Sequence, residues 1–146
     1  MQQLKNLKGP KMKKIERFKN WEFPKIDESK LTKFKWMVQN VEGLTLGYKT
    51  DIGAFSYINA LNEVVLEDYV QVGSHCSIYS VSTIDNKEGK VILKINCKIG
   101  SHSTIMPGVT IGENTIIGAH SFVNTSVPNN VVAAGVPIKI LKELDN

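Results

Sequence analysis

With only two cysteines in 146 residues, Cys76 and Cys97, the chain has too few for a disulfide framework, and their spacing is not that of a metal site. Long apolar runs are also missing: none approaches the roughly 18–20 residues needed to cross a bilayer. No apolar stretch follows the basic N-terminus to form a signal peptide. These absences predict a cytoplasmic protein with no membrane contact, and the length and 42% hydrophobic content suit one soluble, packed domain.

What charge there is lies unevenly. Residues 1–37 hold eleven of the eighteen Lys and Arg but only four of the fourteen acids, so the net +4 belongs to an N-terminal arm and the remainder is slightly acidic. In the arm, lysines alternate with Phe18, Trp21, Phe23, Phe34 and Trp36. Aromatics that dock an arm onto a neighbouring surface while its lysines stay solvated explain this pattern better than nucleic-acid binding. Residues 1–11 are polar enough to read as disordered, with Met12 an alternative start.

Helical periodicity is absent from residue 46 onward, and a period of six replaces it. The hexads read LGYKTD, IGAFSY and INALNE; after Val64 and Val65 come LEDYVQ, VGSHCS and IYSVST; after a break at 84–92 come LKINCK, IGSHST, IMPGVT, IGENTI, IGAHSF and VNTSVP. Position one is Leu, Ile or Val in all twelve, and position five is mostly small. Neither 3.6 nor two generates this spacing, whereas a short strand plus a turn, three to a coil, does. A parallel β-helix of about four coils follows, with positions one and five inside.

Gly-x-His-Ser occurs at 100–103 and again at 118–121. His75, His102 and His120 all take position four of the middle hexad of their coils, and Phe55 takes the equivalent place one coil earlier. With 84–92 extruded as a loop, the imidazoles form one outward column at a coil spacing of roughly 4.8 Å. Pro107-Gly108 reads as a corner of the prism.

"IMPGVTIGENTIIGAHSFV" followed by "VPNNVVAAGVPIKILKEL" resembles the hexapeptide-repeat acyltransferases, near the galactoside and maltose acetyltransferases and the N-acetyltransferases of nucleotide-linked amino sugars. The resemblance covers about residues 44–142. It implies an all-β, left-handed parallel β-helix over 44–136, preceded by a basic arm, 1–43, that is partly disordered or helical, and followed by a short helical tail, 137–146. It also implies a homotrimer with acetyl-CoA as donor and active sites between subunits. Ser101, Ala119 and Asn124 would line the pantetheine groove, and Lys139 and Lys142 would sit near the nucleotide phosphates.

The histidine column has three readings: packing at a trimer seam, a metal site, or catalysis. The trimeric γ-class carbonic anhydrases use two histidines five residues apart on one strand, a pair missing here, so no metal is expected. Acyl transfer needs a group that accepts the nucleophile's proton, and imidazole suits neutral pH. His75, beside the extruded loop, is the candidate base, and His102, next in the column, is the second catalytic candidate. Galactoside-type enzymes take their catalytic histidine from that loop, whereas here it carries Asp85, Asn86, Lys87 and Glu88. This departure favours an amine acceptor, which needs less help from a base, over a sugar hydroxyl. Asn59 in the first coil, with Asp85 and Asn86, is expected to contact the acceptor, a sugar or nucleotide sugar. Position five places Cys76 and Cys97 inside as small apolar fillers, away from any acyl-enzyme chemistry. A non-catalytic hexapeptide scaffold is the remaining alternative.

Overall fold

The aliphatic ladder forms the inner wall of a parallel β-solenoid. In the computed structural model of the protein, which describes residues 18–145, five coils are built from strands only two to four residues long. Strands β1 (Met37–Gln39), β2 (Leu44–Leu46) and β3 (Asp51–Ile52) make the first coil, and β4 (Tyr57–Asn59), β5 (Val64–Leu66) and β6 (Gln71–Val72) the second. The third begins with β7 (Ser77–Tyr79), extrudes an antiparallel hairpin of β8 (Val81–Ser82) and β9 (Lys87–Glu88), and resumes with β10 (Val91–Leu93) and β11 (Lys98–Ile99). Strands β12 (Thr104–Ile105), β13 (Thr110–Ile111) and β14 (Ile116–Ile117) form the fourth; β15 (Phe122–Val123) and β16 (Val131–Ala134) belong to the fifth. A last strand, β17 (Lys139–Glu143), returns along β16.

Each coil contributes one strand per face, except that on the second face the fifth coil has only a single bridge, Val127 to Ile111. The first face stacks β1-β4-β7-β12-β15, the second β2-β5-β10-β13, and the third β3-β6-β11-β14-β16-β17. In-register pairing places Val38, Ile58, Ile78, Ile105 and Val123 in one column. Leu46, Leu66, Leu93 and Ile111 form a second, and Ile52, Val72, Ile99, Ile117 and Ala133 a third. All but Leu46 are buried, each contributing roughly 1.5–3 kcal/mol if a full aliphatic side chain leaves water. Position five also points inward, from Thr50 and Ser56 to Ser121 and Val127, except that Asn62 is half-buried and Ser82, expected inside, leaves the coil on β8.

The departures from a six-residue period collect at one corner, between the first and second faces. Val38 to Leu46 and Ile58 to Leu66 are each eight residues apart, and Ile78 to Leu93 is fifteen because the hairpin leaves there. The extruded segment is therefore 81–90, not 84–92, since Val91 is already buried in β10.

Two expected boundaries are corrected. The solenoid starts at Met37, not 44, and has five coils rather than four: the eight-residue step hides the first coil from a search for sixes. The remaining arm, 18–36, is irregular, not helical, and caps the solenoid's open end. Trp36 is buried, and the Trp21 indole N–H donates to the Thr50 carbonyl at 2.8 Å. The tail is a strand, not a helix. KILKEL is compatible with a helix, but β16 would otherwise leave an unpaired edge, and β17 supplies the missing hydrogen bonds. The expected disordered leader and the alternative start at Met12 lie outside the described residues. Among the described residues, no helix is long and apolar enough to cross a membrane.

Candidate active site

Where the third face turns into the first, five successive coils place Lys35, Phe55, His75, His102 and His120 at one corner position, each with φ between 56° and 67°. This left-handed conformation costs a residue with a Cβ about 1–2 kcal/mol, and inter-coil hydrogen bonds offset it. The Phe55 N–H donates to Lys35 O at 2.6 Å, His75 to Ala54 O at 3.0 Å, His102 to Ser74 O at 3.0 Å and His120 to Ser101 O at 2.9 Å. Backbone geometry thus makes the side chains a column, and all five are exposed.

The imidazoles stack. His75 and His102 have centroids 4.7 Å apart and planes 5° from parallel; His102 and His120 are 4.8 Å apart at 6°. Phe55 continues the column at 5.3 Å from His75 with a 44° tilt. Parallel rings aim their in-plane nitrogen lone pairs side by side rather than at a common point, so one chain's column does not form a chelating metal site. Among the described residues no cluster of three or more His, Cys, Asp or Glu is arranged to hold one. Columns are general to these corners: at the next, Asn96 donates to Asn114 at 2.8 Å and Asn114 to Asn130 at 3.1 Å. The repeat makes the ladder, and the imidazole makes this one chemically useful.

A row of glycines runs beside the histidines. Gly53, Gly73, Gly100 and Gly118 occupy one outward row of the third face. A Cβ on Gly100 would lie 2.4 Å from the Ala119 nitrogen, and one on Gly73 2.6 Å from the Ser101 nitrogen. The coils close up here only because these residues lack side chains. Next to them stand Ala54, Ser74, Ser101 and Ala119. In the row's last places, Ala134 on β16 is opposite Lys139 on β17, and Lys142 is opposite Val132 one row away. Ser101, Ala119 and Lys139 therefore lie along one edge, with both lysines exposed on a strand rather than a helix.

The other expected residues lie across the first face. Asn59 ends β4 and the hairpin carrying Asp85 and Asn86 leaves after β7, both at the corner opposite the histidines; Asn124, following β15, is at that corner too and not beside Ser101 and Ala119 as expected. From His75 to Val81 an extended chain covers roughly 20 Å, so within one chain these residues do not join the histidine column. Asn59 accepts hydrogen bonds from the Asn40 side chain at 2.9 Å and the Leu61 N–H at 3.2 Å. The Tyr57 hydroxyl donates to Gln39, and burial pushes its pKa up. Asp85 is held below the usual carboxylate range chiefly by the Ser82 hydroxyl, and it pairs with Lys87 at 3.4 Å. Asn86 takes the left-handed turn position at φ 54°. Both have work in shaping the hairpin. Glu28 of the arm joins this edge, its pKa lowered by the Val41 and Asn40 N–H groups that it accepts.

Cys76 and Cys97 are buried and free, as expected. Burial raises both thiol pKa values, that of Cys97 to about 12, so neither is a ready nucleophile. Sequence reasoning missed Lys35 in the column and Gln39 and Asn40 beside Asn59. The signal was present in the eight residues from Val38 to Leu46, which equal the step from Ile58 to Leu66.

Residues 90–125 match the family described as bacterial transferase hexapeptide, six repeats. The chain is 36% identical to the galactoside O-acetyltransferase of Escherichia coli (strain K12) over 116 residues, 68% of this chain and 57% of that one. It is 34% identical to the putative colanic acid biosynthesis acetyltransferase WcaF of the same organism over 110 residues, 75% of this chain and 56% of that protein. The chain thus spans little more than half the length of these two relatives. Among solved structures, a galactoside acetyltransferase in complex with coenzyme A superposes with a TM-score of 0.70 at 28% identity, covering 75% of this chain and 60% of the other. The AntD N-acyltransferase of Bacillus cereus shares the fold, with a TM-score of 0.64 at 23% identity, covering 79% of this chain and 80% of the other. With the six-residue ladder, the five-coil solenoid and these relatives in agreement, the chain belongs to the hexapeptide-repeat acyltransferase family.

Proposed function

We propose that this protein is an acetyl-CoA-dependent sugar acetyltransferase whose acceptor nucleophile is the amino group of a nucleotide-linked amino sugar. The observation that carries the reading is the smooth strip of glycines, Ser101 and Ala119, which begins beside exposed histidines and ends at Lys139. The fit to the donor is physical. Small residues let an extended thiol arm lie against the coils, and four coil spacings, roughly 19 Å, are on the scale of a pantetheine arm. Lys139 and Lys142 at the far end are point charges for phosphates. The relatives' names and the coenzyme A held by one structural neighbour support the same donor.

When bound, acetyl-CoA supplies a thioester-activated acetyl group. His75 accepts the proton that the acceptor loses, and His102, stacked on it at 4.7 Å, fixes the orientation of its ring. A closed homotrimer completes the site by bringing the hairpin edge of one subunit, with Asn59, Asp85, Asn86 and Asn124, against the histidine edge of the next. The hairpin's lack of a histidine favours the amine. Transfer to a hydroxyl is the second reading, favoured by the O-acetyltransferase among the relatives.

The test is thiol release from acetyl-CoA with nucleotide-linked amino sugars, simple galactosides and maltose, with His75→Ala assayed alongside. Turnover confined to amino sugars and lost in the variant supports the proposal. Turnover of galactosides alone selects the second reading, and failure to bind CoA rejects both in favour of a scaffold.

A further inference from the structure

Phe55 stands out in the corner column. The other four members are one lysine and three histidines, whose polar ends tolerate water, whereas Phe55 leaves 59% of its surface exposed. Solenoid packing does not demand a phenyl ring there, because imidazole fills the same corner, with the same positive φ, in three later coils. The ring lies directly beside the base proposed above, 5.3 Å from His75. One coil further out, Lys35 is exposed and forms no ion pair among the described residues.

We infer that this end of the column is an acceptor subsite for an anionic pyranose, its ring stacked on Phe55 and its charged substituent held by Lys35. The C–H face of a pyranose is apolar and fits an aromatic ring, and the ring hydroxyls remain in water. Three successive column positions, Lys35, Phe55 and His75, span roughly 10 Å, enough for one sugar ring with a charged group at one end and its nucleophile at the other. The donor groove runs from His75 in the opposite direction, so donor and acceptor meet there without overlap. Carboxylate and phosphate offer the lysine the same chemistry. The charged group is therefore either a carboxylate on the ring or a phosphate attached to it.

This inference rests on the acetyltransferase reading, and its test separates the two. Initial rates with acetyl-CoA are compared for glucosamine 1-phosphate, a UDP-linked amino sugar, a 2-amino uronate and the neutral methyl glucosaminide. The same sugars are also titrated calorimetrically into the full-length protein saturated with CoA. The expected result is an acceptor kcat/KM about fivefold higher for anionic sugars than for the neutral one. Phe55→Ala raises acceptor KM about fivefold to tenfold without raising KM for acetyl-CoA. Lys35→Gln brings the anionic-to-neutral ratio close to one, about a fivefold loss for a single exposed charge pair. The phosphate and carboxylate arms show which anion is used. Equal use of neutral and anionic sugars, or a Phe55→Ala protein with unchanged acceptor KM, overturns the subsite and leaves the acetyltransferase reading standing. No calorimetric binding of any sugar to a protein that does bind CoA also overturns it; no CoA binding removes both.

Discussion

The imidazoles of His75 and His102 face each other 4.7 Å apart and within 5° of parallel, although twenty-seven residues separate them in the chain. His75→Ala is expected to lower kcat about 10²-fold or more, the range of a lost general base, with little change in KM for acetyl-CoA. His102→Ala retains the base and loses only its stacking partner, so a smaller decrease in kcat is expected. Equal, small effects in both variants would place the base elsewhere.

The groove makes a prediction about the donor. Ser101→Trp fills the space beside Gly73 and Gly100 without entering the aliphatic interior. KM for acetyl-CoA is expected to rise more than tenfold, with an unchanged circular dichroism spectrum. Lys139→Ala combined with Lys142→Ala should weaken CoA binding chiefly at low ionic strength, since exposed charges are screened by salt.

Gly100 is a stability test. A Cβ there would sit 2.4 Å from Ala119 N and 2.7 Å from Ala119 Cα, both backbone atoms that cannot move without shifting a coil. Gly100→Ala should cost roughly 2–4 kcal/mol and lower Tm by roughly 5–15 °C. Gly108→Ala meets nothing within 4 Å and incurs only the penalty of its φ of +81°, about 1 kcal/mol. Thermal unfolding of both variants checks the ordering.

Cys97 couples stability to alkaline pH. Its folded pKa is raised by desolvation from 9.0 to about 12, so between these values the unfolded chain has lost a proton that the folded chain retains. Stability contributed by the neutral buried thiol is complete below pH 9 and falls as pH rises, by roughly 1.4 kcal/mol per unit at most. Denaturant unfolding at pH 8 and pH 10.5 should show a steeper loss in the wild type than in Cys97→Ala.

The interior was legible in the sequence because a solenoid repeats one environment. Ile99, Ile105, Ile111 and Ile117 recur every sixth residue, and all four are buried. The histidine column followed from the same arithmetic, since equal positions in successive coils must stack at the strand spacing. The first coil was not legible, because an eight-residue corner breaks the period between Val38 and Leu46. Nor was the C-terminal strand, where local sequence permits a helix and only the unpaired edge of β16 selects a strand.

The sequence alone therefore determined the class of fold, the inward and outward sets, and the alignment of His75, His102 and His120, because hydrophobic burial imposes a single period on all of them. Only the tertiary structure decided which corner carries the irregular turns, that Lys35 extends the column beyond Phe55, and that Lys139 lies at the end of the glycine row. It also placed Asn59, Asp85 and Asn86 a full face away from His75. These are relations between coils, fixed by inter-strand hydrogen bonds and close backbone approach, and no local pattern of residue types encodes them.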